Sequence, residues 1–122
     1  MQIKWLRTYG SVDNDLQKLV LANCFCESGF NYNAVHKGIY DKNTIGKICG
    51  VKEYWIDIIE EITYDNINTL YAGSLVLNHL LNRFDGDMFK ALTYYKGSKK
   101  NFEPVHKVIR IYKEIKWQKN KL

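Results

Sequence analysis

Apolar side chains recur at the three- and four-residue spacing of an amphipathic helix in five segments of the chain. This spacing predicts helices over residues 16–28, 51–62, 66–84, 88–95 and 104–115. The third segment has the longest apolar stripe, from Leu70 to Phe84, so we expect it to form the centre of the core. The order of the elements predicts an all-α single domain over residues 1–122.

Residues that start and stop helices flank these segments. Asp13 is expected to cap the first helix, and Asp65 or Asn66 the third. Gly29 and Gly97 follow the first and fourth helices as stop signals. Two further residues are start signals: Pro104 suits the first turn of the last helix, and Asp87 the N-cap of the fourth.

Three regions lack a clear helical pattern. Residues 2–9 are expected to form a short helix or an arm, and the basic tail 116–122 is expected to fray. Residues 29–50 are rich in Asn, Gly, Tyr and Lys, which predicts a long ordered loop with at most a small strand. A loop of this length inside a compact domain is often functional.

The net charge of the chain limits the classes of molecule that it is expected to bind. The 122 residues carry a net charge of +5, with a pI near 9.1, which suits nucleic acid, an acidic membrane surface or an anionic cell wall. No apolar run approaches the roughly 18 residues that span a bilayer, and residues 1–10 lack the apolar core of a signal peptide. No nucleic-acid-binding motif is present, and the basic residues are not gathered on one early helix, so a nucleic-acid partner is not expected.

The cysteines and histidines do not predict a metal site. Cys24 and Cys26 are two residues apart on a predicted helix and should not pair with each other. Cys49 can pair with either of them in an oxidising compartment, but the favoured interpretation is three reduced, partly buried thiols. The histidines are scattered, without the spacing of zinc ligands: His36, His79 and His106. We therefore expect neither a metal nor another cofactor.

Candidate chemistry lies at the end of the first helix. Leu16, Val20, Asn23 and Glu27 fall at i, i+4, i+7 and i+11, on one helical face. A carboxyl group held against apolar surface loses hydration, which disfavours its charged form. A general acid that works near neutral pH requires such a setting. The alternative interpretation is a half-solvated glutamate at a helix end, without a chemical role.

Four stretches occur in an order that is typical of one family. They are ESGFNYNAV (27–35), NTIGKICGVKEYW (43–55), NINTLYAGSLVLNHLLNRFDGDMFKALTYYKGS (66–98) and VHKVIRIY (105–112). Together they resemble the lysozyme-like superfamily, of the soluble lytic transglycosylase type. The first is similar to the family's Glu-Ser motif and the second to its Gly-Leu-Met-Gln segment. The third ends where the family has Tyr-Asn-x-Gly, and the fourth resembles its closing helix. Cys49 stands at the family's Gln position, and Tyr95 or Lys96 at its Asn position.

The resemblance implies cleavage of the β-1,4 bond between N-acetylmuramic acid and N-acetylglucosamine in peptidoglycan. Glu27 would be the single catalytic acid and base, and the product would carry a 1,6-anhydromuramoyl end. The implied substrate contacts are Ser28, Cys49, Tyr94 and Tyr95. A simpler interpretation makes Ser28 a helix-end hydrogen bonder and the tyrosines packing residues. The expected partner is a peptidoglycan strand, and the protein is expected to be a monomer.

Two alternatives remain open within this resemblance. Asp41, in the long loop, is a candidate second carboxylate that could activate a water, which would make the protein a hydrolysing muramidase. The altered second and third motifs instead fit a catalytically inactive module that binds the wall or serves in a phage tail. The lack of a signal peptide favours a phage-encoded protein that lysis or the virion delivers to the wall. A secretion-associated enzyme and a domain of a larger protein are further settings for the same chemistry.

Overall fold

A computed structural model describes residues 14–35, 43–97 and 100–115 of the chain. These residues contain five helices: α1 (Asn14–Ser28), α2 (Trp55–Ile58), α3 (Leu70–Arg83), α4 (Met88–Lys96) and α5 (Glu103–Glu114). The prediction of an all-α fold is confirmed. The expectations for residues 2–9, for the Asp13 cap and for the tail fall outside the described residues.

Side-chain caps and left-handed glycines set several helix ends. The Asp87 carboxylate accepts a hydrogen bond from the Lys90 amide (3.0 Å) at the start of α4. Gly97, at φ 74°, ends the same helix, and Gly29, at φ 63°, follows α1. These positions agree with the sequence signals. Pro104 lies in the first turn of α5, as predicted.

The cap of α3 differs from the prediction. Thr69, rather than Asp65 or Asn66, caps this helix, because its hydroxyl accepts a hydrogen bond from the Ala72 amide (3.1 Å). The Asn66 side chain is used in the preceding turn, where it accepts from the Thr63 amide (2.9 Å). Asparagine favours such local side-chain to backbone bonds, which compete with a helix start.

The predicted helix over 51–62 is wrong apart from one turn, α2. Val51 forms an isolated antiparallel bridge with Gly46 instead of starting a helix, and Ile59 has extended backbone angles that end α2. The apolar positions still serve the core, since Val51, Trp55, Ile59 and Ile62 are buried. Ile58, in contrast, is 50% exposed. Here the apolar spacing reports burial but not helical backbone.

The four longer helices surround one cluster of buried side chains. Helix α1 packs against α3 and α5, and α4 packs against the same two helices. Val76, Leu77 and Leu80 of α3 are fully buried in this cluster, so the prediction that α3 supplies the centre of the core is confirmed. None of the helices in the described ranges is long and apolar enough to cross a membrane. The arrangement brings the end of α1 close to the end of α4 and the start of α5.

Candidate functional site

Glu27 lies in the last turn of α1, on the wall of an open cleft of about 480 Å³. Its side chain is 17% exposed, so it is largely shielded from solvent but reachable from the cleft. The rest of the lining comes from α1, the end of α4 and the segment that begins α5: Cys26, Lys96, Asn101, Glu103, Pro104 and Lys107. A cleft of this volume is within the range of small-ligand sites in proteins, about 300–1,000 Å³.

Lys96 is the direct partner of Glu27. Its ammonium nitrogen lies 2.5 Å from Glu27 Oε1 and 2.7 Å from Asn23 Oδ1, and its side chain is only 10% exposed. Asn23 and Glu27 are four residues apart on α1, so one face of the helix presents both acceptors to the same cation. The prediction that apolar surface surrounds the Glu27 carboxyl group is therefore wrong on the side that faces the Lys96 ammonium. The only feature of the sequence that pointed to Lys96 was its alignment, as an alternative to Tyr95, with the Asn of the lytic transglycosylase motif.

Gly50 packs against the other side of the Glu27 carboxyl group. A Cβ atom at this position would overlap Glu27 Oε2 and come 2.7 Å from Cδ. Gly50 also has φ 68°, a backbone conformation that other residues rarely adopt. We call residues 46–51, which the bridge between Gly46 and Val51 closes, the Gly50 loop. The backbone of the Gly50 loop, without a side chain at this position, thus packs directly beside Glu27 Oε2.

Ser28 attaches the Gly50 loop to α1. Its hydroxyl donates to the Ile48 carbonyl (2.6 Å) and accepts from the Asn31 amide (3.0 Å). The hydroxyl hydrogen is therefore already committed to the loop. This geometry agrees with the interpretation of Ser28 as a helix-end hydrogen bonder.

Tyr95 attaches the same loop to α4. Its ring is buried, and its hydroxyl donates to the Cys49 carbonyl at 2.5 Å. Burial, together with the nearby charge of Glu27, raises the pKa of Tyr95 well above its usual value, so the phenol keeps the proton that it donates. Because both the ring and the hydroxyl are engaged inside the protein, the expectation that the Tyr95 side chain contacts substrate needs correction: it supports the loop.

Cys49 forms a disulfide with Cys24 of α1, so the favoured prediction of three reduced thiols is wrong. Both cysteines are fully buried. The assignment of the Cys49 side chain as a substrate contact is corrected for the same reason, since a bonded and buried sulfur has no surface to offer. The two residues are separated by 25 positions, and sequence spacing alone carries no information on their distance.

Cys26 is the remaining thiol, and it lines the cleft. Burial raises the pKa of Cys26, although the positive charge of Lys96 opposes the shift. The thiol therefore keeps its proton at neutral pH and is a weak nucleophile.

Tyr94 lies on another side of α4. Its ring centroid is 4.9 Å from that of Phe84, and the Arg83 guanidinium lies 4.9 Å from the Tyr94 centroid. It is 43% exposed. Tyr94 and Lys96 are two positions apart on one helix and so point to roughly opposite sides. The structure thus does not bring Tyr94 to Glu27 in the way that it brings Lys96.

The candidate second carboxylate, Asp41, lies outside the described residues. Glu103 and Lys107 do line the cleft, and sequence reasoning missed both. They are four residues apart at the start of α5 and face the cleft because α5 packs against α1. Only the packing of two helices distant in sequence makes them neighbours of Glu27.

Among the described residues, no group of three His, Cys, Asp or Glu side chains is arranged to hold a metal ion. No protein-family model, curated protein or solved structure matches the chain.

Proposed function

We propose that the protein is a lytic transglycosylase that cleaves the β-1,4 bond between N-acetylmuramic acid and N-acetylglucosamine in peptidoglycan. The observation that carries the proposal is the position of Glu27, at the end of α1 in a ligand-sized cleft. Glu27 is also the glutamate of the first of the four stretches that resemble the family. The all-α fold is compatible with that resemblance.

Glu27 would carry both proton transfers of the reaction. As an acid it gives its proton to the glycosidic oxygen as the bond to the anomeric carbon breaks. As a base the resulting carboxylate takes the proton of the muramoyl 6-hydroxyl, whose oxygen attacks the same anomeric carbon. The proton balance returns to its start, no water is consumed, and the product is a 1,6-anhydromuramoyl end. One carboxyl group is sufficient for this sequence, whereas most glycoside hydrolases use two.

Lys96 and Gly50 would give the two carboxyl oxygens different surroundings. Oε1 faces the Lys96 ammonium at 2.5 Å, and this charge-assisted hydrogen bond would stabilise the carboxylate that remains after Glu27 has given its proton to the glycosidic oxygen. Oε2 packs against Gly50 and fills the place that a side chain at this position would take. We assign Lys96 as the positioning partner of Oε1 and Gly50 as the packing partner of Oε2.

A hydrolysing muramidase is the second candidate, and one observation favours it. Glu103 is another carboxylate on the wall of the same cleft, and it is well exposed to solvent. A second carboxylate across a cleft can activate a water on the far side of the sugar ring. This version would give reducing ends instead of anhydro ends, and Glu103 would take the role that the sequence suggested for Asp41.

The test is digestion of purified peptidoglycan followed by mass spectrometry of the released muropeptides. Glu27→Gln keeps the shape and an acceptor for Lys96 but lacks the acidic proton, so cleavage should fall by roughly 10²–10⁴-fold. Glu103→Gln and Asp41→Asn should change the rate little, and the ends should be lighter by one water than hydrolysed ends. Glu60→Gln, at an exposed position, is the matched control.

Other outcomes discriminate between the candidates. Reducing ends, with Glu103→Gln or Asp41→Asn as damaging as Glu27→Gln, would establish the muramidase. An unchanged rate in Glu27→Gln would contradict both enzymatic proposals. Absence of cleavage by the native protein, together with co-sedimentation with the wall, would indicate the inactive wall-binding module.

A further inference from the structure

The Gly50 loop is held from three directions. Ser28 of α1 donates to the Ile48 carbonyl, and Tyr95 of α4 donates to the Cys49 carbonyl. The Ile48 amide donates to Asn68 Oδ1 (2.8 Å), in the turn before α3. The disulfide from Cys24 is the covalent attachment of the loop. The attached positions, 48 and 49, directly precede Gly50.

The disulfide is enclosed on the side of α3. A Cβ atom at Gly73 would lie 2.8 Å from Cys49 Sγ and 3.1 Å from Cys24 Sγ, so the backbone of α3 is pressed against both sulfurs. Two thiols are not bonded to each other and must lie farther apart than two bonded sulfurs. Because interiors are close-packed and leave little free volume, separated sulfurs require α1 or the Gly50 loop to move.

We propose that the Cys24–Cys49 disulfide positions the Gly50 loop against Glu27, so that the site is complete only in the oxidised protein. Cys24 lies one helical turn before Glu27, and Cys49 lies directly before Gly50, the residue that packs on the Glu27 carboxyl group. Because Cys49 and Gly50 are joined by one peptide unit, a displacement of Cys49 also moves the residue that packs on the Glu27 carboxyl group. The consequence for cleavage rests on the proposed function, whereas the positioning itself does not.

Reduction of this bond needs an external dithiol. The dithiol gives two electrons and two protons, the sulfur–sulfur bond breaks into two thiols, and the reductant closes into its own disulfide. Since both cysteines are fully buried, the reductant reaches the bond only when the loop or α1 opens. An enzyme that depends on this bond would be inactive in a reducing cytoplasm and active in an oxidising compartment.

The experiment compares the oxidised protein with the same protein after treatment with dithiothreitol and after reoxidation. Three quantities are measured: amide hydrogen exchange, the ¹³C resonance of the Glu27 carboxyl carbon, and cleavage of peptidoglycan. On reduction, amides of residues 46–51 should exchange faster, while those of α3 keep their protection. The Glu27 resonance should shift, and cleavage should fall by up to about 10²-fold, as expected for a displaced catalytic geometry.

Two variants sharpen the comparison. Cys26→Ser removes the thiol that forms no disulfide. Because Cys26 lines the cleft, this variant is compared only with its own oxidised form, and the change in exchange at residues 46–51 on reduction should equal that of wild type. Cys24→Ala with Cys49→Ala should resemble the reduced protein in both states, without burying polar groups. Reoxidation should restore amide exchange, the Glu27 resonance and cleavage to their original values in the wild type, but should change none of them in the double variant.

Three other outcomes would contradict either the positioning role of the disulfide or the proposed function. Unchanged exchange in residues 46–51 and an unchanged Glu27 resonance on reduction would overturn the proposal, whatever the cleavage result. Loss of protection throughout α3 in both the reduced protein and the alanine variant would also overturn it, because the disulfide would then maintain the whole fold. If the oxidised protein does not cleave the wall, the proposed function fails, and the exchange and resonance data still decide the positioning.

Discussion

At the scale of single residues, the contact between Gly50 and Glu27 joins the backbone of the Gly50 loop to the proposed catalytic carboxyl group. Gly50 is required twice, by its left-handed φ of 68° and by the Glu27 carboxyl group that occupies the place of a side chain. These two requirements can be separated, because Gly86 has φ 83° but nothing within 4 Å of its Cβ position. The chain thus contains a matched control for backbone strain.

We predict that Gly50→Ala lowers both stability and cleavage, whereas Gly86→Ala lowers stability alone. Each substitution should cost about 1–2 kcal/mol for a left-handed alanine, measured by denaturant unfolding. Only the alanine at position 50 displaces the Glu27 carboxylate, so only that variant should cleave peptidoglycan more slowly per folded molecule. Equal cleavage rates in the two variants would mean that the close packing of Gly50 on Glu27 has no role in the reaction.

At the scale of elements, α3 supports both the core and the site. Leu77 is fully buried in the middle of the helix, and Gly73, one turn earlier, lets the disulfide approach the helix backbone. The same helix therefore supplies packing energy through one residue and space for the Gly50 loop through another. This division explains why a glycine, Gly73, interrupts an otherwise apolar stripe.

We predict that Leu77→Ala destabilises the protein by about 2–5 kcal/mol, as truncation of a core leucine does. Asn78→Ala is the control on the same helix, because Asn78 is exposed and alanine is the better helix former there. Denaturant unfolding curves of the two variants and the wild type give the comparison. A loss well under 1 kcal/mol for Leu77→Ala would contradict the central position of α3.

At the scale of the whole molecule, the net charge of +5 would attract the protein to the anionic wall that we propose as its partner. Such long-range attraction acts between solvated charges and is screened by salt. The Glu27–Lys96 pair, by comparison, is largely shielded from solvent and is screened much less. Binding to the wall and the geometry of the site should therefore respond differently to ionic strength.

We predict that wall binding by the Glu27→Gln variant weakens as salt is raised from about 0.1 M to 1 M, where the Debye length falls from about 10 Å to 3 Å. Co-sedimentation with purified peptidoglycan measures the bound fraction, and circular dichroism checks that the fold is unchanged. Binding that is independent of salt would show that the basic surface does not contribute to recognition of the wall.

Hydrophobic periodicity was sufficient for α1, α3, α4 and α5, because each presents a repeating apolar face to one core and three have clear start or stop residues. Periodicity was insufficient for residues 51–62, where apolar side chains reach the core from turns and a single bridge. A spacing pattern reports which side chains are buried, but the backbone that buries them depends on its other hydrogen bonds.

For the site, the sequence by itself determined the place of Glu27 at the end of a helix and its alignment with Asn23 on one face. Only the tertiary structure decided what surrounds it: Lys96 is 69 residues away along the chain, and the disulfide joins positions 25 residues apart. Local spacing specifies neighbours within a helix, because helical geometry is fixed. Neighbours from distant segments depend on how the helices pack, and that packing is a property of all the side chains together.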